Sequence, residues 1–161
     1  MENNEREEEQ VQQFKLKRMI KQLKAADGNG TSMISLIVPA GKKISDIQKQ
    51  LVDEAGKANN IKDRVNKNSV LKGINTVKER LKLYNNIPPN GLFIYCGEVI
   101  AQSGKGEGKI VLNFEPYKPI KTTCYRCDSK FVTEPLEELL VSSDRYGFII
   151  VDGSGSLFGS L

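Results

Sequence analysis

The chain has 161 residues, 39% hydrophobic and 27% charged, with a formal charge of +4 and no histidine. That length fits one domain with a real core, and the missing histidine removes the commonest general base and metal ligand together, which argues against a hydrolytic enzyme. Its three cysteines, an odd number with no signal-like apolar start, argue against a disulfide framework and for a reducing, cytoplasmic setting; the longest apolar runs are too short to cross a membrane.

Residues 2 to 9 hold five glutamates against one arginine, so the remainder is more basic than the total indicates, a weak pointer to nucleic acid. The spacing predicts a helix over 5–24, with Leu16, Met19, Ile20 and Leu23 on one face, acids leading and Lys21 and Lys24 closing. Asp27-Gly28-Asn29-Gly30 ends it, and Met33 to Val38, an apolar run held between turn residues and Pro39, reads as a buried strand. Ile44, Ile47, Gln48, Leu51, Val52 and Ala55 follow a helical period, with Gly56 where a helix stops. Val70, Ile74, Val77, Leu81 and Tyr84 define a second helical face.

Gly56 to Arg64 is then the tip of a helical hairpin. Lys57, Lys62, Arg64 and Lys67, with nearby asparagines, offer charge and amide hydrogen bonds to a phosphate-bearing partner. Residue types alone favour a structural account, with Asn60 capping the second helix and Asp63 in its first turn.

Ile87-Pro88-Pro89-Asn90-Gly91 breaks the helix, and strands are predicted at Leu92 to Ala101, Lys109 to Phe114 and Lys121 to Cys127. Gly104-x-Gly106-x-Gly108 lacks the helix and the Lys-Ser/Thr pair of a phosphate loop and reads as a linker. Thr133 to Val141 reads as a short helix, and Phe148 to Val151 with Leu157-Phe158 as a hairpin. The fold expected is α/β: helices, including a long helical hairpin, packed on a small, mostly antiparallel four-stranded sheet.

Cys124-Tyr-Arg-Cys127 invites a zinc or redox reading, but the sequence supplies no second pair for four zinc ligands, and residues three apart in a strand face opposite ways. No catalytic residue, metal or cofactor is expected. Tyr125 and Cys127 share a face with Phe131 just beyond, so an aromatic, a thiol and a second aromatic are arranged either as core or as a pocket.

Asn60-Ile61-Lys62-Asp63-Arg64-Val65-Asn66 resembles the N-I-K-S-R-V-N loop of eukaryotic class-one peptide-chain release factors, with Asp63 in place of serine. Gly30-Thr31-Ser32-Met33-Ile34-Ser35-Leu36-Ile37 resembles that family's first strand, and Arg80 to Tyr84 with Pro88 to Leu92 its helix end and following turn. Phe114-Glu115-Pro116 and Lys118-Pro119-Ile120 also fit. Tyr125-Arg126-Cys127-Asp128-Ser129-Lys130-Phe131 matches the family's Y-x-C-x-x-x-F element.

The resemblance implies a codon-recognition domain over 1–143, followed over 144–161 by the truncated opening of a middle domain. It implies a monomer that reads a stop codon in the ribosomal A site, contacts small-subunit ribosomal RNA and meets a class-two release factor GTPase through later domains. The G-G-Q motif to which the family assigns peptidyl-tRNA hydrolysis is absent, so no chemistry is expected of the chain itself. The codon-binding residues implied are Thr31, Glu54, Asn60, Ile61, Lys62, Asp63, Arg64, Ser69, Tyr125, Cys127 and Phe131. A hydroxyl at Thr31 and a carboxylate at Glu54 suit base-edge hydrogen bonds, and the Tyr125 pocket suits a flipped-out or stacked base. Aspartate only accepts hydrogen bonds and adds charge where serine is neutral, a departure resembling release factors of ciliates with reassigned stop codons; Thr123 and Cys124 also depart from the usual pattern. Recognition narrowed to UGA is therefore expected, the alternative being that Asp63 pairs with Lys62 or Arg64, or caps the helix, and leaves the codon range open.

Overall fold

A computed structural model describes residues 2–100, 107–140 and 147–160. The chain runs α1 (Glu2–Ala25), β1 (Met33–Val38), α2 (Ile44–Ala58), α3 (Arg64–Leu81), β2 (Leu92–Ile100), β3 (Glu107–Phe114), β4 (Cys124–Asp128), α4 (Glu134–Leu140), β5 (Gly147–Asp152) and β6 (Gly155–Ser160). The first four strands form one sheet in the order β3-β2-β1-β4, with every neighbour antiparallel. β5 and β6 pair as a separate hairpin, and the expected linker at Gly104 and Gly106 lies outside the described residues.

β1 is buried throughout and apolar at every position but Ser35, because both of its faces are covered. Ile34, Leu36 and Val38 join Leu92, Ile94 and Cys96 under the α2–α3 hairpin, against Ile47, Leu51, Val70, Ile74, Val77 and Leu81. Met33, Ile37, Phe93 and Tyr95 point the other way and meet Leu16, Ile20 and Leu23 of α1 and Leu136 and Leu139 of α4. An ion pair between Lys24 and Glu137 ties α1 to α4. The result is three layers, with the hairpin alone on one side of the sheet.

Several boundaries differ from expectation. α2 continues through Gly56 to Ala58, with Asn59 as C-cap, because Ala55 and Ala58 still pack on the core and that burial outweighs glycine's cost of about 1 kcal/mol in a helix. α3 ends at Leu81, so Tyr84 lies in the following turn, where its hydroxyl accepts a hydrogen bond from Asn113 Nδ2 at 2.7 Å. The strand expected from Lys121 begins at Cys124. Close packing of the hairpin is set by Gly73: a Cβ there would stand 2.7 Å from Ile34 Cδ1, so only glycine lets α3 lie this near β1.

Candidate nucleic-acid interface

The core-facing stripes of α2 and α3 continue toward the tip as Ala58, Ile61 and Val70, and β4 runs beneath as the edge of the sheet. Because side chains alternate along a strand, Tyr125 and Cys127 face the hairpin while Cys124 packs in the opposite cluster. The Cys124 and Cys127 thiols therefore lie on opposite sides of the sheet, as three-residue spacing in a strand requires. Between β4 and the hairpin lies a groove of about 390 Å³ lined by Glu54, Lys57, Ala58, Ile61, Val70, Tyr125, Arg126 and Cys127.

The groove is part apolar and part charged. The Tyr125 hydroxyl and Cys127 Sγ are 3.0 Å apart. Burial raises the Tyr125 phenol above its ordinary value, and the bond to Cys127 and the charges of Cys127 and Glu54 add to the rise. Burial likewise raises the Cys127 thiol, with the Tyr125 bond opposing and Glu54 reinforcing. Both groups are neutral near pH 7, so the β4 wall offers a flat aromatic and a polarizable sulfur. Glu54 Oε1 accepts a hydrogen bond from Lys57 Nζ at 3.2 Å across the rim. A planar, unpaired base has a stacking partner and a hydrogen-bonding edge here.

Above the groove the chain turns at residues 59–63. Backbone bonds from Asn60 N to Lys57 O and from Ile61 N to Ala58 O, both 3.1 Å, carry the helix end into the loop. Ile61 is half-buried against the core, whereas Asn60, Lys62, Asp63 and Arg64 are exposed. Among the described residues no carboxylate makes an ion pair with Lys62 or Arg64, so both charges face outward beside the groove. The N-cap of α3 is Asp63, not Asn60: its Oδ1 accepts from Asn66 N at 2.7 Å.

Thr31 reaches this region through Asn66. Its amide donates to Asn66 Oδ1 at 3.0 Å, and Asn66 Nδ2 donates to Thr31 Oγ1 at 2.9 Å. Gly30, at φ +72°, makes the approach possible.

Two of the expected residues lie elsewhere. Ser69 Oγ donates to Glu98 Oε2 at 2.7 Å and lines a separate small cavity of about 30 Å³ with Ser32, Lys72 and Lys109. Phe131 is in the opposite core, edge-on to Tyr95 with ring centroids 5.3 Å apart. The alternation that places Tyr125 and Cys127 stops where β4 ends at Asp128, and the chain then crosses to the α1–α4 side. There Val132 N donates to the buried Ser35 Oγ at 2.9 Å and its carbonyl accepts from the Tyr95 hydroxyl at 2.7 Å.

Lys57 is expected only as one of the tip's cations, not as a wall of the groove, and Arg126 and Asn66 are not expected at the site. Lys57 was signalled by its i, i+3 relation to Glu54, and Asn66 by its place three residues after a capping aspartate.

The family model described as eRF1 domain 1 matches residues 11–141. The chain is 54% identical over 154 residues to eukaryotic peptide chain release factor subunit 1 of Podospora anserina, covering 96% of this chain and 35% of that protein. It is 52% identical over 161 residues to subunit 1-1 of Brassica oleracea var. botrytis, covering 100% of this chain and 37% of that protein. Among solved structures, the archaeal translation termination factor aRF1 superposes with a TM-score of 0.72 at 30% identity, over 92% of this chain and 41% of the other. The chain thus spans about a third of the length of these curated relatives, with the helices and the antiparallel sheet of the archaeal factor's corresponding region. It belongs to the family described as eRF1 domain 1, the amino-terminal domain of eukaryotic release factor 1.

Proposed function

We propose that this domain recognises a stop codon of messenger RNA in the ribosomal A site during translation termination, by binding alone. The observation that carries the reading is the convergence of Glu54, Lys57, Ile61, Tyr125 and Cys127 on one groove beneath the outward-facing Lys62 and Arg64. Cations at the rim suit phosphates of messenger or small-subunit ribosomal RNA, and the aromatic and carboxylate below suit a base. The codon-binding set is accordingly Glu54, Ile61, Tyr125 and Cys127 in the groove, Asn60, Lys62, Asp63 and Arg64 at the tip, and Thr31 beside them. Residues 1–143 form the codon-reading unit and 144–161 open a following domain, through which, with later parts, a class-two release factor GTPase is engaged.

The codon range we propose is narrowed to UGA. What supports it is Asp63: an added negative charge where the loop it resembles has neutral serine, next to Lys62 and Arg64, which make no ion pair among the described residues. The capping bond from Asn66 to Asp63 favours a second reading, an undiminished range over all stop codons, since serine makes the same cap. Fusing this chain to the remaining domains of a curated relative and measuring peptide release in a reconstituted system, programmed with each stop codon separately, decides among them. Release at UGA with weak release at UAA and UAG is expected. Equal release at all three would overturn the narrowing, and no release at any would return the domain to a generic RNA-binding or protein-interaction module.

A further inference from the structure

We propose that Asn66 is a positioning residue that clamps the Thr31 loop to the tip, so that Thr31 and Lys62 meet the codon as one rigid unit; the proposal rests on the codon-reading function above. Asn66 and Thr31 are 35 residues apart and belong to different elements, the first turn of α3 and the loop before β1. Both functional ends of the Asn66 side chain are spent on that one residue: Oδ1 takes the Thr31 amide at 3.0 Å and Nδ2 reaches Thr31 Oγ1 at 2.9 Å. Its backbone amide is held by Asp63 Oδ1 at 2.7 Å. A continuous relay thus runs from the tip through Asp63 and Asn66 to Thr31.

The sequence around Thr31 is built for this contact. A Cβ at Gly30 would come 2.7 Å from Asn66 Oδ1, and φ is +72° there, so both the space and the backbone shape exclude other residues. The loop is held at Gly28, whose amide donates to Ser129 O at 2.9 Å, and at the buried Ser32; between these anchors the clamp fixes the Thr31 side chain. Thr31 itself is exposed. Hydrogen bonds at such a position contribute little to global stability, so two converging on one hydroxyl residue serve placement more than folding.

The clamp also sets what Thr31 presents. With Nδ2 donating to Oγ1, one lone pair of the hydroxyl is consumed, and its proton faces a longer 3.3 Å contact to Asn66 Oδ1. With the proton held by Asn66 Oδ1, the second lone pair of the hydroxyl is what Thr31 turns outward, to accept from a donor on a base edge. Asn66 acts on recognition through Thr31, and without Thr31 it has nothing to position.

The test is a double-mutant cycle in the fused release factor described above, with peptide release at UGA and thermal melting as readouts. Asn66→Ala and Thr31→Ala should each slow release by about fivefold, the scale of one lost hydrogen bond, and the double variant should be no slower than the slower single. Melting temperatures should stay within about 3 °C of the parent. Asn66→Ala releasing at the parent rate, or effects that multiply in the double variant, would overturn the proposal. Should Asn66→Ala fail to fold, Asn66→Asp replaces it in the same cycle: it keeps an acceptor for the Thr31 amide, suits the first turn of a helix and lacks the donor to Oγ1. A parent that releases at no stop codon sinks the codon-reading function and this proposal together, whereas an active parent with an unaffected Asn66→Ala sinks this proposal alone.

Discussion

The Tyr125 hydroxyl and the Cys127 thiol meet at 3.0 Å on the one face of β4 that looks into the groove. Two residues apart in a strand, they share a face by geometry, and the contact fixes the ring against the sulfur. The hydroxyl stabilises the thiolate form of Cys127 even though burial, the larger effect, raises the thiol overall. Tyr125→Phe removes only the stabilising contribution. The alkylation midpoint of Cys127, followed by mass spectrometry against pH, should lie above the ordinary thiol value of about 8.5 in the parent and move higher in Tyr125→Phe. A midpoint that falls on removing the hydroxyl would contradict the arrangement.

Asp63 is a helix cap first. Replacing it with alanine orphans the Asn66 amide and should lower stability by about 1 kcal/mol in urea denaturation, while Asp63→Ser should lie within a few tenths of the parent. If Asp63→Ser nonetheless changes the codon preference, the change comes from the lost charge or the added hydroxyl donor and not from the cap, which serine retains.

Gly73 opposes the usual helix rule. An alanine in a helix interior ordinarily adds about 1 kcal/mol over glycine, but here the new methyl meets the fully buried Ile34 Cδ1 at 2.7 Å. Overpacking of this kind costs about 1–3 kcal/mol, so Gly73→Ala should be net destabilising. Adding Ile34→Val deletes the offending Cδ1. The double variant should therefore recover more stability than the separate effects sum to, measured by the same denaturation.

Lys62 and Phe131, both placed at the codon by resemblance, should separate cleanly. Lys62 is exposed, with no ion pair among the described residues, so Lys62→Ala should leave the melting curve unchanged and reduce stop-codon-dependent release. Phe131 is buried against Tyr95, and Phe131→Ala should cost about 3–5 kcal/mol of stability. A Phe131→Ala domain that melts like the parent and loses only release would return Phe131 to the groove.

Local patterning determined most of the architecture. Buried stripes at helical period on α2 and α3, the mostly apolar run of β1 and the breaks at Pro88-Pro89 are properties of neighbouring residues, and each became the expected element. The shared face of Tyr125 and Cys127 follows from strand alternation and was equally legible. Tertiary structure decided what depends on contacts distant in sequence. Nothing near Gly56 told α2 to continue, because the reason is Ala58 packing on the core. Nothing near Phe131 separated it from Tyr125 and Cys127, because its place in the opposite core depends on Ser35 and Tyr95 capturing Val132 after the strand has ended. Asp63 was ambiguous between charge and cap until Asn66 was seen to donate to it, and Thr31 was joined to the tip only by a side chain 35 residues away. Periodicity carries information over a few residues; which loops meet is fixed by the sheet that brings them together.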